Sequence, residues 1–344
     1  MPSVATELSP QMPPINWQAE FTDAVTDLAI QGETLYASSA DGKIYHFDLS
    51  GKLLADWQAH SGGVIRVGPQ PKGNKVASSG EDGQVLLWSA DGASCEVLTQ
   101  EPRWIEHLEW TANGTTLAAA AERTIYLWRI NPEDHESLGV WYDASRSVLA
   151  MSWAPDNKRL ASACNKGLYL WCIGGEEPVE LLQFPGAPVS VAWKQDSSAL
   201  AVGTQDGFLQ IWRKNPNGQS KQLTMRGYQG KVTCLSWHPR KKLIATAGSH
   251  DIVIWDLSSH QGGGKPTPLR RHQRAITRLT YSPSGHRLAS GDRAGRLCIW
   301  NTETGLEYEW VVDAEVTAMQ WSADGQQLAV GNILGQLRVF EIGQ

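Results

Sequence analysis

Short runs that alternate hydrophobic and polar positions, rich in β-branched residues and closed by Gly, Asn, Asp or Pro, fill the chain from about residue 17 onward. That alternation reads as strands joined by tight turns, and no stretch carries a helical period. One run recurs, an apolar segment ending in an aromatic: KIYHF (Phe47), QVLLW (Trp88), TIYLW (Trp128), GLYLW (Trp171), FLQIW (Trp212), DIVIW (Trp255), RLCIW (Trp300) and QLRVF (Phe340). The intervals are 41, 40, 43, 41, 43, 45 and 40 residues, so the chain is one array of eight units. In the second unit VIRV (64–67), KVASS (75–79), QVLLW (84–88) and EVLTQ (96–100) are separated by turn residues, which gives four antiparallel strands per unit.

The repeated segments resemble the WD40-repeat family. LASACNKGLYLW, LAVGTQDGFLQIW, LIATAGSHDIVIWD and LASGDRAGRLCIW are similar to its second-to-third strand, and VLAMSWAPDNKRL, VTCLSWHPRKKL, ITRLTYSPSGHRL and VTAMQWSADGQQL to its first strand and following turn. The resemblance implies an all-β, eight-bladed propeller over residues 15–344, preceded by a Pro-bearing arm at 1–14. After Phe340 only EIGQ remains, too short for an outermost strand, whereas INWQAEFTDAVTDL near the start parallels YEWVVDAEVTAM (308–319). Residues 15–21 are therefore expected to supply the outer strand of the last blade, which leaves no open sheet edge.

The family's buried Asp–His–Ser/Thr–Trp network maps in full only onto the second unit, as His60, Ser78, Asp82 and Trp88. The seventh keeps His272, Ser290 and Trp300 but places Ala294 where the Asp is expected. The 16 tryptophans sort the same way: six end third strands, five close first strands, and four lie in outer strands. Trp104, in QEPRWIEHLEW, is left over, on the loop that enters the third unit.

In WD40 proteins partner peptides often dock on the face around the channel mouth, at the residue before the first strand, the residue two further on, and the residue before the turn Asp. Transferred here, these positions are mostly small or apolar. The candidates for partner contact are Trp104, Glu106, Ile65, Leu149, Val189, Arg293 and Ile333. An exposed Trp among apolar neighbours has the composition of an interface hot spot.

Charge adds a second candidate. The chain carries a net charge of −6, which gives no general affinity for nucleic acid. Residues 265–296 nevertheless hold eight basic residues against Asp292 alone, a local balance of +7, while 101–143 has a balance of −5. Arg270, Arg271, Arg274 and Arg278 form the alternative site, a basic blade for nucleic acid or another polyanion. Three turn-rich segments, 131–137, 214–220 and 258–268, are expected as surface loops on the face opposite the mouth.

Catalytic signatures are lacking: there is no GxxxxGK[ST], GxSxG or HExxH. His238, His250, His260 and His272 cluster in sequence without Cys or carboxylate at ligand spacing, so neither metal nor cofactor is expected. Tryptophan placement follows the WD40 pattern rather than that of eight-bladed quinone-dependent dehydrogenases. The five cysteines are odd in number and without CxxC spacing, which suits a reducing compartment. No window is apolar enough to span a membrane. The sequence thus points to a cytoplasmic, non-enzymatic scaffold, monomeric by itself, that binds a protein or peptide of unknown identity.

Overall fold

A computed structural model describes residues 12–142, 147–165, 167–214, 220–258 and 266–343. Among them lie thirty-two strands and no helix, grouped into eight four-stranded antiparallel sheets. The second blade follows the expected pattern closely: Val64–Pro69, Lys75–Gly80, Gln84–Ser89 and Cys95–Gln100. The first strand of each blade packs against that of the next, and the eighth packs against the first, which closes a ring around a central channel. Closure is by the segment expected for it. Ile15–Glu20 pairs antiparallel with Gln336–Glu341, with Trp17 opposite Val339 and Glu20 opposite Gln336. Of the proposed arm, residues 1–11 lie outside the described residues.

The apolar core lies between blades rather than within them. Eight buried clusters are present, each built from two neighbouring blades, as when Leu127 and Trp141 of blade 3 meet Met151, Trp153 and Trp171 of blade 4. A four-stranded sheet has two apolar faces here, and only a neighbour on each side removes both from water.

The tryptophans are the fasteners of this arrangement. Those closing the first strands donate their indole N–H to a carbonyl on the first strand of the preceding blade: Trp110 to Gly68 (2.9 Å), Trp153 to Glu109 (3.2 Å), Trp193 to Ser152 (3.2 Å), Trp237 to Ala192 (3.0 Å) and Trp321 to Thr280 (3.2 Å). Outer-strand rings stack forward onto the third-strand aromatic of the next blade, as in Trp141–Trp171 and, across the closure, Trp17–Phe47, both 5.1 Å between centroids. Around the channel, small polar side chains bond in the same direction. Ser190 reaches the Val232 carbonyl (2.7 Å), Thr277 that of Val316 (2.6 Å), and Thr317 that of Val25 (2.5 Å).

The buried polar network of blade 2 is complete. The Trp88 indole donates to Ser78 Oγ (2.9 Å), Ser78 bonds His60 Nε2 (2.8 Å), and His60 Nδ1 meets Asp82 (2.8 Å). Burial holds the His60 imidazole below its ordinary pKa, so the neutral ring donates from Nδ1 and accepts at Nε2. Gly80 is required beside it, because a Cβ there would lie 2.5 Å from His60 Nδ1.

Blade 7 corrects the expectation that it lacks the acid. His272 Nδ1 meets Asp292 (2.9 Å) and its Nε2 meets Ser290 (2.7 Å), to which Trp300 donates (3.0 Å). Asp292 stands two residues earlier than the turn position, where blade 2 has Gly80. Its carboxylate also caps the turn by accepting the N–H of Ala294 and Arg296. Blade 6 uses a tyrosine in place of the histidine: Trp255 donates to Tyr228 (2.7 Å), whose hydroxyl bonds Thr246 (2.5 Å).

Candidate functional site

The mouth of the channel is shaped by a repeated backbone irregularity. In six blades the pairing of first and second strands slips by one residue at its start, as between Val64 and Arg66 or between Val148 and Ala150. A bulge of this kind leaves one residue out of the ladder and re-aims it. The released residues are Thr26, Ile65, Leu149, Val189, Thr277 and Thr317.

A cavity of about 730 Å³ occupies the mouth and is lined by Ile65, Arg66, Lys231, Arg278, Arg293 and Ile333, among others. A second hollow of about 380 Å³ shares Ile65 and Arg66 with it and adds Trp104, Glu106, His107 and Leu149. Six of the seven candidate contact residues therefore border one continuous depression. Val189 is released by its bulge but lines neither hollow. Thr277 and Thr317 also border the mouth, but their hydroxyls are engaged by the next blade.

Trp104 is held out by its neighbours. Ile105 is fully buried and its N–H bonds the Gly80 carbonyl (3.2 Å), while the Glu106 N–H bonds the Ala120 carbonyl (3.1 Å). With the backbone pinned on that side, the Trp104 side chain stays 55% exposed. The other fifteen tryptophans each make a ring contact or an indole hydrogen bond; among the described residues Trp104 makes neither. Leu149 (37%), Ile333 (49%) and Leu334 (60%) extend the exposed apolar surface.

Inside the mouth lies a charged group that the repeat pattern did not single out: Asp27, Arg66, Glu109 and Arg278, with His107 beside them. Arg66 faces Asp27 at 3.9 Å. Burial pushes the Asp27 carboxyl up, with Arg66 opposing it. Burial also raises Glu109 to about 7; Arg66 offsets part of this and Asp27 adds to it. Burial, reinforced by Arg66, holds His107 at about 4, so the neutral ring donates from Nε2 to the Val148 carbonyl (3.1 Å). The available signal was an ionisable residue at the third position of an otherwise apolar inner strand, as in VTDLAI, VIRVGP and ITRLTY.

The four arginines of the alternative site do not form one patch. Arg270 pairs with Asp251 (3.3 Å) and Arg271 with Glu309 (2.7 Å), on the outer strands. Arg278 lines the channel mouth, and Arg274 is exposed before the first strand of blade 7. Arg296 also pairs with Glu309, and Arg287 with Glu307 (2.8 Å), so most of the local positive balance is met by carboxylates. The loop expected at 131–137 shrinks to 131–134, because the outer strand begins at His135. Most of 214–220 and 258–268 lies outside the described residues. No group of three or more metal-ligating side chains occurs among the described residues, and no helix there is long and apolar enough to cross a membrane.

Known proteins share the repeat and the fold. A family model for the WD domain, G-beta repeat, matches residues 51–89, 136–172 and 178–213, and one for the IFT140 first beta-propeller matches 221–305. Telomerase protein component 1 of Mus musculus is 25% identical over 264 residues, 72% of this chain and 10% of that protein. THO complex subunit 3 of Arabidopsis thaliana is 30% identical over 156 residues, 44% of this chain and 48% of that protein. The chain thus spans from about a tenth to about half the length of these curated relatives. Among solved structures, Sqt1 of Chaetomium thermophilum superposes with a TM-score of 0.82 at 17% identity, over 96% of this chain and all of that one. Sqt1 bound to the N-terminus of the ribosomal protein L10 gives 0.78 at 18% identity, over 93% and 97%. The C-terminal WD40 domain of Sif2 gives 0.81 at 16% identity, over 97% and 99%. Repeat matches, eight four-stranded sheets and ring closure agree: the chain belongs to the WD40-repeat family of β-propellers.

Proposed function

We propose that this propeller is a non-enzymatic scaffold, working in the cytoplasm, that binds a protein or peptide on its channel-mouth face. The observation that carries the reading is Trp104, more than half exposed beside Leu149, Ile65 and Glu106, in a chain whose other tryptophans all serve the framework. A large ring that the fold does not need, exposed beside Ile65 and Leu149 with Arg66 and Glu106 bordering the same hollow, has the composition of a binding hot spot. Sqt1, which shares the fold, has been solved with the N-terminus of a ribosomal protein bound, so a peptide ligand suits this architecture. No disulfide joins any of the five cysteines among the described residues, which suits a reducing compartment. The polyanion reading is weaker, because Arg270 and Arg271 are already paired with carboxylates.

The test compares Trp104→Ala and Leu149→Ala with the wild type in affinity capture from the native host, quantified by mass spectrometry, with thermal melting as the control for folding. Loss of a hot-spot side chain costs about 2 kcal/mol or more, a fall of roughly 30-fold in affinity. Both variants are expected to melt like the wild type and to lose the same partners. A Trp104→Ala protein that keeps every partner contradicts the reading.

A further inference from the structure

The charges around the mouth are unevenly paired. Four cations line it, Arg66, Lys231, Arg278 and Arg293, against the carboxylates of Glu81 and Glu315 and, grouped with Arg66 and Arg278, those of Asp27 and Glu109. Arg66 is compensated by Asp27 (3.9 Å) and Arg293 by Glu315 (3.8 Å). Glu81 accepts the Gly63 backbone N–H (3.3 Å). Arg278 has no such carboxylate: its hydrogen bond is from Nη1 to the carbonyl of its neighbour Thr277 (2.8 Å), and no ion pair to it is found among the described residues. Burial lowers its pKa and Arg66 adds to this, while Cys234 and the carboxylates of Asp27 and Glu315, both beyond ion-pair distance, oppose it. Lys231 lies on the adjacent blade, bordering the same cavity, also without an ion pair among the described residues.

The mouth is therefore two-sided. Blades 2 to 4 present apolar surface through Ile65, Trp104 and Leu149, and blades 6 and 7 present two cations with no carboxylate at ion-pair distance among the described residues. A guanidinium held partly out of water with no carboxylate in hydrogen-bond reach is under-satisfied in the free protein, and a carboxylate arriving there gains a charge-assisted hydrogen bond in a setting of reduced screening. Arginine is also the cation best shaped for a carboxylate, through its planar fork of donors.

We propose that the mouth recognises an acidic peptide segment, with an Asp or Glu side chain bound at Arg278 and Lys231 and an apolar side chain bound against Trp104 and Leu149. This rests on the scaffold reading above and specifies the chemistry of its partner. Charge complementarity selects the occupant: a basic segment meets two unpaired cations, and a purely apolar one leaves Arg278 desolvated and unpaired.

The experiment uses the full chain and a phage-displayed library of random peptides fused at their C-termini, so that only side chains supply carboxylates. Peptides selected on the wild type are measured against Arg278→Gln, Lys231→Gln and Trp104→Ala, and a short labelled single-stranded DNA is titrated in parallel. Arg278→Gln removes a charge with no ion-pair partner and is expected to fold and melt at least as well as the wild type. Selected peptides are expected to be enriched in Asp or Glu beside an aromatic or aliphatic residue. They should lose about 10-fold or more in affinity for Arg278→Gln, and a comparable amount when their acidic residue is replaced by the amide. Their binding should weaken with salt. Peptides that depend on Trp104 but show no acidic enrichment and bind Arg278→Gln unchanged overturn this proposal and leave the scaffold reading standing. If no peptide is selected, or those selected ignore Trp104 as well, both fall. DNA binding that is lost in Arg278→Gln, without peptide binding, overturns it in favour of a nucleic-acid ligand.

Discussion

Glu109 offers a test of the channel chemistry that needs no partner. Its carboxyl is raised from an ordinary 4.5 to about 7, first by burial, with Asp27 adding and Arg66 opposing. A carboxyl raised in the folded state makes the native protein bind more protons than the unfolded chain between those two values. Its contribution to stability is thus complete below pH 4.5 and is lost as pH rises through 7. At about 1.4 kcal/mol per pH unit the gap amounts to about 3 kcal/mol. Because Glu109 is only partly buried, the effective cost is about 1–3 kcal/mol. Glu109→Gln keeps the shape and removes the ionisation, so it should stabilise the protein at pH 8.5 and change little at pH 4.5. For a chain this long the unfolding entropy is about 0.7 kcal/mol/K, so the gain is roughly 1–4 °C in Tm. Melting followed by tryptophan fluorescence, at several pH values, for both proteins reads it directly. A difference in Tm that stays constant from pH 4.5 to 8.5, or a variant less stable than the wild type at high pH, refutes the reasoning.

Two further predictions concern the framework. Asp82→Ala and Asp292→Ala each strip the partner from a buried histidine Nδ1, and each should cost about 1–3 kcal/mol, seen as a drop of roughly 1–4 °C in Tm; a neutral Asp292→Ala would show that blade 7 does not use this acid. Deleting residues 1–20 removes the closing strand and the half-buried Trp17 ring from the contact between blades 8 and 1; loss of the strand pairing together with that ring should cost about 3 kcal/mol or more, so Tm should fall by about 4 °C or more, with an open strand edge that favours self-association on size-exclusion chromatography.

Much of the architecture was legible because a propeller repeats its physics. Each blade needs the same alternating strands and the same aromatic at the end of its third strand, so eight periodic anchors announce eight sheets, and the short tail after Phe340 announces a strand borrowed from the start. What escaped has specific causes. Asp292 does not stand at the repeat's usual distance from Trp300, because a carboxylate two residues earlier reaches the same imidazole nitrogen from the strand end. Tyr228 was missed because its hydroxyl takes the place of an imidazole. Asp27, Arg66, Glu109 and Arg278 are spread over some 250 residues of sequence and meet only because the ring brings first strands to a common axis. Trp104 stood out by subtraction, and its exposure agrees with that, whereas the apparent basic blade dissolved into ion pairs with Glu307 and Glu309 from its own outer strand.

Site-specific photocrosslinking in extracts of the native host shows whether a protein partner docks on the channel-mouth face. A photoreactive amino acid replaces Glu106 at the mouth in one protein, and Glu133, in the exposed turn between the third and outer strands of blade 3 on the opposite face, in another. Docking at the mouth gives adducts of discrete mass from position 106, abolished when Trp104→Ala is added, and none from position 133. Adducts from position 133 alone, or from position 106 regardless of Trp104, contradict it.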